Sequence, residues 1–301
     1  MNARKAFSRI GLGLALTMIL VQALQFAIIK LTKHYDSSLF NTAWYNYAIS
    51  CVTYYFIGFP FFSLIVKKLP NSSNNNKKEF KFSHFLMIIA IGFATVYLVN
   101  LFTTLLLLLF SLITKNPISN PVDQIVSNST WYITIPFVVI IAPIFEELMF
   151  RGVIINKLHD YGDTAAIVTS AILFGLFHGN FSQCFYATAL GLILGYLRVR
   201  SGSIKYSILL HMCINLMGGV IGPGIVKHSS NYTLLMLFSF FIISLITLGV
   251  TLFILNIKNI KLNKGIYVFE KGTAFTTTCI NVGMIFYFVL ILTIMIYSLF
   301  I

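Results

Sequence analysis

Two adjacent acidic residues, Glu146 and Glu147, directly follow an apolar run that spans residues 133–145. The other six acidic residues lie in polar loops or at the edges of apolar runs. An ionisable side chain inside a bilayer costs roughly 3 kcal/mol on insertion scales, so such residues usually have a function. The pair therefore predicts a structural ion pair, a proton or ion pathway, or a catalytic site.

The spacing of the charges separates the roles of the two carboxylates. Glu147 and Arg151 lie four positions apart, with the acid nearer the N-terminus, which is the favourable order for an ion pair on a helix. Arg151 would then neutralise Glu147 and leave Glu146 unpaired. An unpaired and desolvated carboxylate suits a general base or a general acid near neutral pH.

A predicted helical hairpin brings a histidine to the level of Glu146. The segment 158–164 (LHDYGDT) contains the turn, with Gly162 near its centre. Glu146 precedes that glycine by 16 residues, and His178 follows it by 16. If the first helix continues to about Asp160, antiparallel packing places the two side chains at the same depth.

A second polar pair, His211 and Asn215, lies on one face of another apolar helix (LLHMCIN, residues 209–215). Polar groups in lipid must find partners, so interhelical hydrogen bonding is one explanation of the pair. The other is an oxyanion site, because an imidazole and an amide can both donate to a developing negative charge. His211 and Glu146 reach the same depth only if the hairpin projects about 15 Å into the cytoplasm.

The composition indicates which solvent surrounds these residues. Of the 301 residues, 58% are hydrophobic and 10% are charged, against about 25% charged in a soluble domain. Several continuous apolar runs reach the roughly 20 residues that a membrane-spanning helix needs. We therefore predict an all-α, polytopic transmembrane helix bundle of eight or nine spans. The predicted spans lie near residues 10–29, 43–66, 85–113, 131–150, 164–181, 183–197, 206–226, 232–256 and 277–301.

The net charge of +13 is explained by membrane topology rather than by a nucleic acid partner. With the N-terminus inside, seventeen basic residues fall on the inner side of the predicted spans and four on the outer side. This bias predicts a multi-pass protein of the cell membrane with a cytoplasmic N-terminus and an outer C-terminus. Residues 67–84 then form a cytoplasmic loop, and residues 114–130 form an outer loop.

The predicted bundle divides into three regions. Residues 1–130 form N-terminal transmembrane helices, residues 131–226 contain the polar pairs, and residues 227–301 form C-terminal helices. Three glycine pairs in the middle region are spaced for close helix packing: Gly175/Gly179, Gly191/Gly195 and Gly218/Gly222. This spacing predicts a tight bundle over residues 164–226, with the first and last helices of the chain as lipid-facing additions.

Three motifs of the middle region resemble the signature motifs of the CPBP family of intramembrane endopeptidases. They are EELMFR (146–151), FGLFH (174–178) and HMCIN (211–215). The family includes type II CAAX prenyl endopeptidases and bacterial relatives linked to bacteriocin self-immunity and peptide-pheromone processing. The resemblance covers about residues 131–220, and no signature position departs from the pattern. It implies that residues 131–226 are the catalytic core of an intramembrane protease, a hydrolase acting on a peptide or protein substrate in the lipid bilayer.

The resemblance also implies a role for each polar residue. Glu146 and His178 would activate the hydrolytic water. Glu147 and Arg151 would hold the geometry of the site. His211 and Asn215 would stabilise the tetrahedral oxyanion. The substrate would be a prenylated peptide or a small secreted or leader peptide.

We expect the reaction to need no metal or other cofactor. The chain lacks the HExxH motif that is usual in helical zinc proteases. If a zinc ion is present, Glu146, His178 and His211 would supply its three ligands.

Two other functions compete with proteolysis. A proton-coupled transporter could use Glu146 and Glu147 as a relay, but the sequence shows no repeated half with matching interrupted helices. A catalytically silent immunity or interaction protein would not need every catalytic group. The motifs therefore favour the endopeptidase.

Overall fold

The structure is a computed structural model that describes residues 3–40, 42–72, 80–115, 130–227 and 230–299. Within these residues the chain forms nine long helices and no strand. They are α1 (Ala3–Tyr35), α2 (Trp44–Val66), α3 (Phe82–Thr114), α4 (Trp131–Tyr161), α5 (Asp163–Phe177), α6 (Phe181–Ser201), α7 (Lys205–Lys227), α8 (Tyr232–Asn259) and α9 (Val282–Tyr297). Two short helices, Ser37–Phe40 and Ala274–Thr278, lie in the connections. The centre of the predicted 67–84 loop and most of the predicted 114–130 loop lie outside the described residues.

Six of the described helices are long and apolar enough to cross a membrane, namely α1, α2, α3, α4, α7 and α8. α5 and α9 are shorter apolar helices, and α6 has 21 residues. The chain is therefore a multi-pass membrane protein, and the prediction of an all-α bundle is confirmed. α9 begins later than the predicted span, because the side chain of Asn281 caps it by accepting from the Met284 N–H at 3.0 Å.

α4 carries the two adjacent acids between two stretches of wider, π-helical turns. Ile135–Ile141 and Leu148–Ile154 are π-helical, and the regular turn Ala142–Glu147 lies between them. α7 contains a similar stretch at Met217–Ile221. Such stretches are frequent at functional sites, because the extra residue changes which backbone and side-chain groups face a neighbour.

α4 and α5 form the predicted hairpin. The last α-helical turn of α4 ends at Leu158, a 3-10 turn continues to Tyr161, and Gly162 reverses the chain with a φ of 101°. Residues with a side chain rarely adopt this φ, so the turn requires glycine. His178 directly follows α5 as its C-cap, so both arms of the hairpin have the predicted lengths.

The segment that follows α8, residues 260–273, covers the tip of this hairpin. The Asp163 carboxylate accepts hydrogen bonds from the backbone N–H and the side-chain amide of Asn263, at 2.7 and 3.0 Å. The Tyr267 N–H donates to the Asp160 carbonyl at 3.0 Å. These bonds pair polar groups of the tip and attach it to the C-terminal part of the chain.

One end of the bundle, which we call the basic end, contains the start of α1, the end of α2 and the tip of the α4–α5 hairpin. Arg9 donates from Nε to the Ile65 carbonyl at 2.6 Å, which joins α1 to α2. Lys157 donates from Nζ to the Leu69 carbonyl at 2.6 Å, which joins the hairpin to the segment after α2. The charge distribution assigns all three segments to one side of the membrane, and the contacts agree.

Glycines allow α5 and α6 to approach each other closely, as predicted. A Cβ atom on Gly191 of α6 would lie only 2.9 Å from the Cα atom of Ala171 of α5. A Cβ atom on Gly175 would overlap the Thr188 side chain. Gly218 of α7 differs, because a Cβ atom there would meet nothing within 4 Å. The packing interpretation is therefore right for α5 and α6 and wrong for Gly218.

The prediction that the first and last helices are lipid-facing additions is wrong. Phe7 of α1 and Tyr287 of α9 are fully buried in the main core. The two helices meet through their backbones, since a Cβ atom on Gly11 would lie 2.7 Å from the Gly283 carbonyl. The Gly283 N–H also donates to the Ser8 hydroxyl at 3.0 Å. Single glycines facing each other from distant helices leave no periodic pattern, so the sequence did not indicate this contact.

We expect Gly283→Leu to destabilise the protein by about 1–3 kcal/mol, as other overpacked sites do. The added side chain would overlap the Ser8 carbonyl and push α9 away from α1. The measurement is thermal unfolding in detergent, with Gly224→Leu as control, because a Cβ atom on Gly224 meets nothing within 4 Å. Equal melting temperatures for the two variants would contradict the close packing of α1 and α9.

Candidate active site

The predicted site residues come from three helical segments. α4 carries Glu146, Glu147 and Arg151, His178 caps α5, and α7 carries His211 and Asn215. Four of the six line one cavity of about 300 Å³ between α3, α4, α6 and α7: Glu146, His178, His211 and Asn215. The other two, Glu147 and Arg151, lie behind the cavity wall and are fully buried.

The predicted ion pair between Glu147 and Arg151 is present. Arg151 Nη1 lies 2.9 Å from Glu147 Oε1, and both side chains are 0% exposed. Nδ1 of His211 lies 3.2 Å from the same oxygen. Glu147 thus has a guanidinium on its own helix and an imidazole on α7 as partners, which compensates for the removal of its charge from water.

Arg151 is held by two further helices. Its Nη2 atom donates to the Gly191 carbonyl of α6 at 3.2 Å. Its guanidinium carbon lies 4.4 Å from the centre of the Phe174 ring of α5, a distance at which a cation is attracted to the ring face. A Cβ atom on Gly191 would lie 3.2 Å from the same Nη2 atom, so a larger residue there would crowd the guanidinium.

His211 lies between the two carboxylates. A carboxylate only accepts hydrogen bonds, so the Nδ1 atom that faces Glu147 carries a proton. The other ring nitrogen, Nε2, lies 3.7 Å from Glu146 Oε2, slightly beyond direct hydrogen-bond distance. The imidazole packs against the Phe174 ring at nearly a right angle, with ring centroids 5.6 Å apart. His211 therefore links the buried acid to the acid that faces the cavity.

The contact between Glu147 and His211 shows how far the hairpin projects. Glu147 lies about 23 Å from Gly162 along α4, and His211 lies about 9 Å from the first residue of α7. With the two helices side by side, the tip of the hairpin extends roughly 14 Å beyond the start of α7. This agrees with the predicted projection, and residues 260–273 cover the projecting tip.

Glu146 is the acid that faces the cavity. Its side chain is 15% exposed, and it forms no ion pair with a lysine or arginine of the described chain. The Tyr55 hydroxyl of α2 donates to Glu146 Oε1 at 3.3 Å. The Tyr55 ring is stacked on Phe145, with centroids 5.1 Å apart. Glu146 is therefore held by one neutral donor and can still accept a proton from a water molecule.

His178 is anchored through one ring nitrogen. Its Nδ1 atom lies 2.9 Å from the Phe174 carbonyl oxygen, which can only accept, so Nδ1 carries the proton. In the neutral ring Nε2 is then a proton acceptor. Gly179 follows with a φ of 66° and ends the helix, and the Asn180 amide donates to the His178 carbonyl at 2.9 Å.

Asn215 forms an interhelical hydrogen bond, which is one of the two explanations that the sequence allowed, although the sequence did not indicate its partner. Its side-chain amide donates to the Val138 carbonyl of α4 at 2.9 Å. That carbonyl lacks its usual helical donors, because the Ala142 N–H donates to Phe137 and Pro143 has no N–H. One amide N–H of Asn215 is thus used to pair a backbone group in lipid, and the second N–H remains for a ligand in the cavity.

In the described part of the chain, no group of three His, Cys, Asp or Glu side chains is placed to hold a metal ion. Glu146, His178 and His211 line the same cavity, but they do not form such a group. The expectation of a metal-independent reaction therefore stays a prediction.

Besides the Val138 carbonyl, sequence reasoning missed two partners of the site residues and gave no role to a third. Tyr55 lies in an apolar run of α2, far from the motifs, and no spacing marks it. The Gly191 carbonyl is a backbone group, which leaves no signal of its own. Phe174 begins the FGLFH motif, and its ring contacts Arg151, His178 and His211.

One comparison with known proteins agrees with the motifs. The family model described as Type II CAAX prenyl endopeptidase Rce1-like matches residues 128–217. This stretch contains all six predicted site residues and confirms the resemblance, while α1, α2, α3, α8 and α9 lie outside it. No curated protein and no solved structure matches the chain.

We expect Arg151→Ala and Glu147→Gln to lower protein yield and melting temperature. Each variant breaks a buried ion pair, which costs on the order of 3–5 kcal/mol. Arg200→Ala is the matched control, because Arg200 is an exposed arginine on α6. If both variants were as stable as the wild type yet had lost activity, Glu147 would act in the reaction rather than in the scaffold.

Proposed function

We propose that this membrane protein, whose residues 128–217 match the type II CAAX prenyl endopeptidases, is an intramembrane endopeptidase. The observation that carries the proposal is the cavity shared by Glu146, His178, His211 and Asn215. Peptide hydrolysis needs a base for the attacking water and donors for the oxyanion. This cavity contains residues of both kinds. The substrate is a prenylated peptide or a small secreted or leader peptide.

In the proposed reaction, Glu146 takes a proton from a water molecule as the water oxygen attacks the scissile carbonyl carbon. His178 orients the water through its unprotonated Nε2 atom. The carbonyl oxygen becomes an oxyanion and accepts a hydrogen bond from the second amide N–H of Asn215. His211 adds a donor through Nε2 when its ring carries both protons. Glu146 then returns its proton to the leaving amine, so that the C–N bond breaks and the carboxylate is regenerated.

Glu147 and Arg151 position these groups without touching the substrate. Their ion pair holds the turn of α4 that carries Glu146, and the bond from Glu147 orients His211. Preorganised donors stabilise a transition state better than donors that must reorient. The buried pair therefore contributes to catalysis through geometry.

We expect Glu146→Gln and His178→Ala to lose cleavage, on the order of 10³-fold or more for a lost base. Neither residue belongs to the buried ion pair, so the melting temperature should stay close to that of the wild type. The measurement is hydrolysis of an internally quenched prenylated peptide by purified protein. Glu270→Gln, which removes an exposed carboxylate outside the cavity, is the matched control. Wild-type rates in Glu146→Gln would contradict the proposal.

Asn215→Ala should lower the rate by on the order of 10²–10³, the usual effect of one lost oxyanion donor. It should also lower the melting temperature, because the Val138 carbonyl loses its partner. The rate is measured by hydrolysis of the same quenched peptide, and the stability is measured separately by thermal unfolding in detergent. An Asn215→Ala variant of wild-type stability would contradict the assigned bond to Val138.

We also propose that the reaction is independent of metal. Incubation with a strong chelator should leave the cleavage rate unchanged, and elemental analysis of purified protein should find no stoichiometric zinc. Zinc near one equivalent, with activity lost on chelation and restored by metal, would overturn this proposal. It would then assign Glu146, His178 and His211 as ligands.

The proposed orientation places the basic end in the cytoplasm, in agreement with the positive-inside rule. A cysteine introduced at position 75 of a cysteine-free variant should react with a membrane-impermeant reagent only after the cells are opened. A cysteine added after residue 301 should react in intact cells. Labelling of position 75 from outside would reverse the orientation.

A further inference from the structure

The cavity continues beyond the catalytic groups along α3 and α7. These helices lie side by side from a common end, where the Phe85 and Tyr206 rings have centroids 5.2 Å apart. About two to three turns past the level of His211, the cavity is lined by Tyr97 and Asn100 of α3 and by Gly218 and Gly219 of α7. α3 lies outside the stretch that matches the family, so the match assigns none of its residues.

Tyr97, which is half-buried, and Asn100, which is exposed, are polar residues of α3 at the border between its buried face, which includes Phe93, and its lipid-facing side. Their neighbours Leu98 and Leu101 are 44% and 56% exposed. Neither the Tyr97 hydroxyl nor the Asn100 amide has a hydrogen-bond partner among the described residues. An amide without a partner at membrane depth is costly, and intramembrane polar residues of this kind usually mark a ligand path. Their position on the cavity wall indicates a ligand with hydrogen-bonding groups.

The opposite wall provides space for such a ligand. A Cβ atom on Gly218 would meet nothing within 4 Å, and one on Gly219 would come no closer than 3.7 Å to a neighbour. Gly191 of α6, by contrast, is in close contact with another helix. Gly218 therefore does not serve helix packing, and its missing side chain leaves the cavity open.

We propose that Tyr97, Asn100 and Gly218 form a subsite that binds the backbone of an extended peptide next to the scissile bond. This inference rests on the proposed endopeptidase function. The Asn100 amide offers a donor and an acceptor, the two groups that a peptide unit presents in return, and the Tyr97 hydroxyl adds a third hydrogen-bonding group. The open space at Gly218 accommodates a substrate side chain.

The geometry places the subsite close to the reacting bond. Gly219 lies four residues beyond Asn215 on α7, which corresponds to about 6 Å along the helix. An extended peptide advances about 3.3 Å per residue. The subsite therefore contacts the substrate about two residues from the scissile bond, on the side of the cavity that lies farther along α3 and α7.

The test uses full-length protein and an internally quenched peptide with a farnesylated CAAX sequence as probe. Asn100→Leu keeps the size of the side chain and removes both hydrogen-bonding groups, so KM should rise about tenfold while kcat changes less than twofold. Tyr97→Phe should raise KM by a smaller factor. Asn100→Gln should recover part of the loss. Gly218→Leu should prevent cleavage of peptides with a bulky residue at the adjoining position, and a glycine there should restore cleavage.

Substitutions at two exposed positions outside the cavity serve as controls. Leu101→Ala on α3 and Gly224→Leu on α7 should leave both kinetic constants within twofold of the wild type. The inference is overturned if Asn100→Leu and Gly218→Leu cleave the probe as the wild type does, or if they lose kcat and stability together, as a packing defect would.

A binding measurement distinguishes this inference from the proposed function. A photoreactive version of the same peptide should crosslink to the inactive Glu146→Gln protein, and Asn100→Leu in that background should raise the peptide concentration needed for half-maximal crosslinking about tenfold. Crosslinking without cleavage by the wild type would support the subsite and contradict the endopeptidase. Neither cleavage nor crosslinking would overturn both.

Discussion

The buried ion pair between Glu147 and Arg151 is the constraint on which the rest of the structure depends. Two charges removed from water need nearly complete pairing, because an unpaired one costs several kcal/mol inside a membrane. The Glu147 carboxylate contacts the Arg151 guanidinium on α4 and the His211 imidazole on α7. The guanidinium in turn contacts the Gly191 carbonyl of α6 and the face of the Phe174 ring of α5. Four helices must therefore meet at one point, and Gly191 is the residue that lets α6 come close enough.

The burial of Glu147 determines what Glu146 can do. Neighbouring residues of a helix point about 100° apart, so once Glu147 faces its buried partners, Glu146 is directed elsewhere. It faces the cavity, with the Tyr55 hydroxyl as a neutral donor and His211 slightly beyond hydrogen-bond distance. Two chemically identical side chains thus acquire different roles from their surroundings. One is a fixed charge of the scaffold, and the other remains able to exchange a proton.

The parts of the structure that could be predicted from the sequence are those that depend on spacing within one helix or one hairpin. The pairing of Glu147 with Arg151 follows from their i,i+4 spacing. The equal depth of His178 and Glu146 follows because each lies 16 residues from Gly162. The contact of Tyr55 with Glu146 and the packing of α1 against α9 could not be predicted, because they join residues far apart in the chain. The bond from Asn215 depends on Pro143 and on the π-helical turns of α4, which apolar periodicity does not reveal.

The polar residues of the cavity share a further property. His178 bonds a backbone carbonyl through Nδ1, His211 bonds Glu147 through Nδ1, and Asn215 bonds the Val138 carbonyl through one N–H. Each side chain is fixed to the scaffold by one polar atom and retains a second polar group for a ligand. In lipid this arrangement has two effects. It gives a partner to polar atoms that would be costly to leave unpaired, and it holds the second polar group of each side chain in a fixed direction. A site built in this way has little reorganisation left to perform when charge develops on a substrate.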